Sequence, residues 1–172
     1  MVPIVSVVGK SHSGKTTLIE KLIPELKRRG YKIATIKHDV HDFDIDHPGK
    51  DSWRHAQAGA DTVVISSPHK VAVIKKVDWE LSLDEISGKF AGDTDLIITE
   101  GYKREDKPKI EVYRSHQGEL LCSSQELLAV VETELPSSPA PELYKGVPHF
   151  DMDDVKGLAD LIERELLMGS SR

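Results

Sequence analysis

Residues 9–16 run Gly9-Lys10-Ser11-His12-Ser13-Gly14-Lys15-Thr16. The spacing G-x-x-x-x-G-K-[ST] is that of a phosphate-binding loop. Its glycines let the backbone turn tightly and approach an anion with no Cβ in the way. The loop N–H groups, those of Ser11, His12 and Ser13 among them, then point inward as an anion nest. The first turn of the following helix adds unpaired N–H groups and the positive end of its dipole. Lys15 is expected to reach the β- and γ-phosphates, and Thr16 to ligand Mg²⁺ through its hydroxyl.

Such a loop needs an acidic partner for the metal at the end of a neighbouring strand. The strand Asp95-Leu96-Ile97-Ile98-Thr99-Glu100-Gly101 offers two acids. Five extended steps hold them roughly 16 Å apart. Nucleotides bind open α/β sheets at the carboxyl ends of the strands. Glu100, which closes the strand, is therefore assigned to Mg²⁺, and Asp95 is read as a solvated strand start. Gly101 behind it lets the backbone approach a γ-phosphate. Lys37, His38 and Asp39 leave the end of an earlier strand and are best placed in the loop 38–51 to reach the nucleotide. Lys15, Asp39 and Glu100 form the candidate catalytic set. The His and Asp content of that loop suits a transition metal, but its spacing matches no zinc pattern and no cysteine is near. A solvated acidic loop is the favoured reading.

Base recognition is weakly written. The guanine signature Asn-Lys-x-Asp is absent. The strand Leu127–Val131 ends in Glu132-Thr133-Glu134. A carboxylate there would accept from both guanine N1–H and N2–H₂; a plain acidic loop fits equally well.

The elements must hold these residues in place. Residues 3–8 are short, apolar and β-branched, as a buried strand requires. Leu18, Ile19, Leu22, Ile23 and Leu26 then repeat at helical spacing, from near Lys15 to a C-cap at Gly30, with a lost hydrogen bond or a kink expected at Pro24. Further strands are predicted over 32–37, 62–66, 71–77, 95–100, 110–113 and 127–131, the 62–77 pair as a hairpin. Helices are predicted over 53–60, 83–90 and 151–167, the last capped by Asp153 or Asp154. Residues 134–149 carry four of the nine prolines and read as irregular. Alternating strands and helices imply a P-loop NTPase-type α/β fold, one domain over 1–172. Its sheet would be mostly parallel, with helices on both faces and a hairpin or edge-strand extension.

The chain's 172 residues suffice for one domain with a sizeable core. A net charge of −6 argues against a protein that coats nucleic acid. The single cysteine, Cys122, fits a reducing compartment. No run approaches the ~18 apolar residues of a membrane span. A cytoplasmic protein is expected.

GKSHSGKTT, IKHDVHDFDIDHPGKDSWRHAQAGA and DLIITEGYKREDKPKIEVYR, in this order, resemble the molybdopterin-guanine dinucleotide biosynthesis protein B (MobB) family. The resemblance covers roughly residues 2–115. It returns weakly at LLAVVET and DMDDVKGLADLI. It implies a homodimer that binds GTP with Mg²⁺ and hydrolyses it slowly at most. It also implies assistance to a partner guanylyltransferase that attaches GMP to molybdopterin. The positions that carry over are Gly14, Lys15, Thr16, Thr17, Lys37, His38, Asp46, Gly49, Lys50, Asp51, Glu100 and Gly101. Asp39, Asp46 or Asp51 would help to position water or a second ligand. The block 46–51 is a candidate contact for an anionic pterin phosphate or for the partner. Relatives often place Asp after the late strand, where this chain has Glu132-Thr133-Glu134. Two alternatives stand beside this reading. A small-molecule kinase would want mobile arginines; Arg104 and Arg114 are present, but no arginine-rich lid follows. A metal-delivering GTPase rests only on the histidines of residues 38–55.

Overall fold

The structure, a computed structural model, describes residues 2–39, 43–114, 118–133 and 146–168. The chain divides into two units, one of residues 1–38 with 87–172, the other of residues 39–86.

The first unit is built on a six-stranded sheet. In chain order its strands are β1 (Ile4–Val8), β2 (Ile33–Lys37), β5 (Leu96–Glu100), β6 (Lys109–Tyr113), β7 (Leu127–Glu132) and β8 (His149–Asp151). In space they run β2-β5-β1-β6-β7-β8, and every pairing is parallel. All five residues of β1 are buried. That is why the segment reads as apolar on both sides of Ser6 rather than as an alternation: a parallel strand is covered on both faces. Val5, Val7, Ile98, Ile110, Val112 and Val131 face helix α1 (Lys15–Arg28) and helix α4 (Val155–Ile162). Val8, Leu127 and Val130 face the other way, onto Cys122 and Leu120. The predicted parallel α/β architecture with an added hairpin is the one the chain adopts.

Helix α1 buries Leu18, Ile19, Leu22 and Leu26. It runs through Pro24 without a break; the proline removes one N–H, but the apolar stripe on either side of it holds the helix to the sheet. The helix ends in a Schellman motif: Gly30 has φ 97°, its N–H donates to Lys27 O, and Tyr31 N–H donates to Leu26 O. The Arg29 guanidinium pairs with Glu25 of α1 at 2.8 Å and ties that helix to α4 through Asp160 at 2.7 Å and to the turn beyond it through Glu163.

Two expectations at the C-terminal end are corrected. Asp151 is not helical but ends the edge strand β8, and α4 starts at Val155 with Asp154 as its N-cap, accepting from Gly157 N–H at 3.0 Å. The turn Glu163–Leu167 that follows is π-helical. A three-residue strand is too short to show a period of two, so the Asp-rich stretch read as a helix start.

The second unit carries α2 (Asp51–Gln57) and an antiparallel hairpin of β3 (Thr62–Ser67) and β4 (Lys70–Lys75). Pro68 and His69 lie at its tip. Helix α3 (Leu83–Phe90) opens with a capping box, in which Ser82 N–H donates to Glu85 at 2.9 Å and Glu85 N–H donates to Ser82 Oγ at 3.3 Å.

Candidate functional site

The loop 9–14 leaves the carboxyl end of β1, between the ends of β5 and β6. Gly9 has φ 146°, and a Cβ there would stand 2.5 Å from the Val112 carbonyl oxygen and 2.7 Å from Ser13 Oγ. Gly14 has φ 105°. His12 is also left-handed, at φ 59°, a strained state for a residue with a Cβ. Ser13 is fully buried, and its hydroxyl has no hydrogen-bond partner among the described residues. Lys15 folds back over the loop, its Nζ donating to Gly9 O at 3.1 Å and Lys10 O at 2.9 Å. A tight glycine loop, a lysine across it and an orphaned buried hydroxyl within it fit a bound phosphate chain.

On the β5 side, parallel register sets Glu100 beside Val7 of β1 and Lys37 of β2. Thr16 Oγ1 lies 3.2 and 3.1 Å from the two Glu100 carboxylate oxygens and donates to them. A hydroxyl and a carboxylate at this separation, both oxygen donors, fit a hard cation such as Mg²⁺. Gly101 has φ 99°, and a Cβ there would meet the His38 Cβ at 3.3 Å. His38 N–H donates to Glu100 O at 3.0 Å, and its ring lies 4.9 Å from that of Tyr102 at 42°. Tyr102 is itself left-handed, at φ 55°. The glycine therefore lets the backbone pack against His38.

On the other side of β1, the ends of β6, β7 and β8 come together. Thr133 N–H and Oγ1 donate to Tyr113 O at 3.2 and 3.4 Å. Glu132 lies 2.8 Å from His149 Nδ1, so its carboxylate is engaged by the neighbouring strand. Met152 Cε and Thr133 Cγ2 stand 3.2 and 3.5 Å from the position of a Cβ on Gly14. Behind them Glu111, 2% exposed, accepts from Leu121 N–H at 2.6 Å and Cys122 N–H at 3.0 Å. Burial pushes its carboxyl up, against those two N–H groups and the charge of Lys10.

The first unit thus holds the phosphate-loop residues, Lys37, His38, Glu100, Gly101, Glu132 and Thr133. Asp39, Asp46, Lys50 and Asp51 belong to the second. There Asp46 Oδ1 accepts from His47 N–H at 2.9 Å, while its Oδ2 is buried without a partner among the described residues. Asp51 lies 3.8 Å from Arg54. His41 and Glu134 lie outside the described residues. No group of three or more His, Cys, Asp or Glu among the described residues is placed to hold a metal. Sequence reasoning missed Met152 and the His38–Tyr102 pair. The EGYK stretch was noted, but nothing in it signals a left-handed tyrosine.

The chain is similar to proteins of one family. The family model "Molybdopterin guanine dinucleotide synthesis protein B" matches residues 4–133. The molybdopterin-guanine dinucleotide biosynthesis adapter protein of Haemophilus influenzae is 36% identical over 166 residues, 96% of this chain and 90% of the relative. The adapter protein of the same description in Escherichia coli K12 is 36% identical over 168 residues, 94% of this chain and 92% of the relative. A crystal structure of molybdopterin-guanine biosynthesis protein B superposes with TM-score 0.70 at 35% identity, covering 95% of this chain and 98% of the other. That of Bacillus subtilis MobB gives TM-score 0.74 at 26% identity, covering 95% and 98%.

Proposed function

This chain belongs to the molybdopterin guanine dinucleotide synthesis protein B (MobB) family, and on that premise we propose that it is a cytoplasmic, GTP-binding adapter of molybdopterin guanine dinucleotide biosynthesis. It binds Mg·GTP, hydrolyses it slowly at most, and assists the guanylyltransferase that attaches GMP to molybdopterin. The observation that carries the nucleotide reading is the pairing of Thr16 with Glu100 at 3.1 Å beside a glycine loop spanned by Lys15. Lys15 and the amides of Ser11, His12, Ser13, Gly14, Thr16 and Thr17 would hold the phosphates. Thr16 and Glu100 would hold Mg²⁺, which when bound neutralises the β- and γ-oxygens. Asp46, Lys50 and Asp51 are proposed to contact the pterin phosphate or the partner.

Hydrolysis is proposed to be slow, since no arginine-rich lid follows the loop in the sequence. Turnover by such a site wants a group that orients water and a cation that stabilises the leaving charge. Lys15 supplies charge, and Asp39 is the proposed water-orienting group. The adapter acts as a homodimer; support comes from the hairpin, whose Val64, Val71 and Val73 are exposed by 57%, 63% and 47%. The direct test is reconstitution of guanine dinucleotide formation with a purified guanylyltransferase, molybdopterin and Mg·GTP. Added protein should raise the rate or yield, and Lys15→Ala should not. Equal stimulation by both would refute a nucleotide-dependent adapter.

A further inference from the structure

Arg114 follows the last residue of β6, and its Nε is buried with no hydrogen-bond partner among the described residues. Native structures rarely bury a donor unpaired. Its place in the sheet says what would pair it. Side chains two apart on a strand share a face, so Arg114 continues the face of Val112. Val112 Cγ1 lies 3.9 Å from the position of a Cβ on Gly14, in the same group as Met152 and Thr133. Thr133 is hydrogen-bonded to Tyr113 O, the residue before Arg114.

This cluster sits across β1 from the metal pair. The sheet order β5-β1-β6-β7-β8 puts Glu100 on one side of the loop, and Arg114, Thr133 and Met152 on the other. Thr16 and Glu100, which would hold the metal, lie on the β5 side of the loop, so a nucleotide held there would extend its nucleoside toward β6 and β7. Strands lie about 4.8 Å apart, which puts the ends of β6 and β7 about one nucleoside's breadth from the loop. We infer that Arg114 contacts the nucleoside half of the bound nucleotide, its guanidinium donating to acceptors there, with Met152 and Thr133 as the wall beside it. A guanidinium has donors only, so it selects for acceptor atoms. The inference rests on the nucleotide-binding reading above.

The test is calorimetric titration of the full chain with Mg·GTP and, separately, with Mg·tripolyphosphate, which engages the loop but has no nucleoside. The proteins are wild type, Arg114→Met, Arg114→Lys and Lys15→Ala. Arg114→Met should weaken GTP roughly ten- to a hundredfold, the range for a hydrogen bond to a charged donor, and leave tripolyphosphate unchanged. Arg114→Lys, which keeps the charge and loses the fork, should recover only part of the loss. The inference is overturned if Arg114→Met binds GTP like wild type, or if it loses both ligands equally. Equal urea midpoints for the variants and wild type exclude a folding defect, and Arg114→Lys carries the test if Arg114→Met unfolds. If Lys15→Ala binds GTP as well as wild type does, the nucleotide reading itself fails, and this inference falls with it.

Discussion

Gly9 has no space for a larger residue, because the Val112 carbonyl stands 2.5 Å from where a Cβ would go and the backbone is left-handed. Val112 belongs to a central strand and cannot give way cheaply. Gly9→Ala should therefore cost more than about 2 kcal/mol in urea unfolding, as strained special positions do. Gly30→Ala meets nothing within 4 Å and loses only the ease of a left-handed C-cap, so about 1 kcal/mol is expected. Cys122 behaves oppositely to a reactive thiol. It is 5% exposed, and burial first, then the Glu111 carboxylate, pushes its thiol up to about 12. An aromatic disulfide reagent at pH 8 should leave it unmodified in the folded protein and react fully once urea unfolds the chain. The placement of the loop against Glu100 was the most legible part of the sequence. The loop and Glu100 were found because spacing and strand direction fix them locally. Met152 was not, because only the lateral order β1-β6-β7-β8 brings it to Gly14.

At the scale of elements, two carboxylates set the acid behaviour, Glu25 largely covered and Glu126 exposed. Hydrogen bonds from Arg28 and Arg29 hold Glu25 at about 2, and the Lys109 ammonium followed by Ser123 holds Glu126 at about 2. Both lie below the ordinary 4.5. Their stabilisation is present above that value and is lost as pH falls toward 2. Glu111 has the opposite sign: burial raises its carboxyl, so it favours the folded state below the ordinary value and ceases to as pH rises through the raised one. Urea midpoints should fall between pH 4.5 and 2, and Glu126→Gln should flatten that fall. An unchanged slope in Glu126→Gln would refute the assignment of the Lys109–Glu126 pair, 3.0 Å apart. Strands β1 and β5 were readable because burial on both faces makes them mostly apolar, with Ser6 in β1 and Thr99 and Glu100 in β5 as the exceptions. Edge strand β8 was not, since three residues next to prolines carry no periodic signal.

At the scale of the whole molecule, a chain of net charge −6 concentrates its anion-binding features in one loop, so nucleotide affinity should depend on that loop and its metal pair rather than on bulk charge. Its hairpin presents apolar side chains from an otherwise isolated two-stranded sheet, a form that is marginal by itself in water. Sedimentation should find a dimer that Val73→Glu converts to monomer; a wild-type monomer at micromolar concentration would refute the homodimer. The central claim is that this fold binds a guanine nucleotide through Lys15. The most direct measurement is calorimetric titration of the purified protein with Mg·GTP and Mg·ATP beside Lys15→Ala. Tight GTP, weak ATP and no binding by the variant are predicted. Preference for ATP, no preference, or undiminished binding by Lys15→Ala would contradict it.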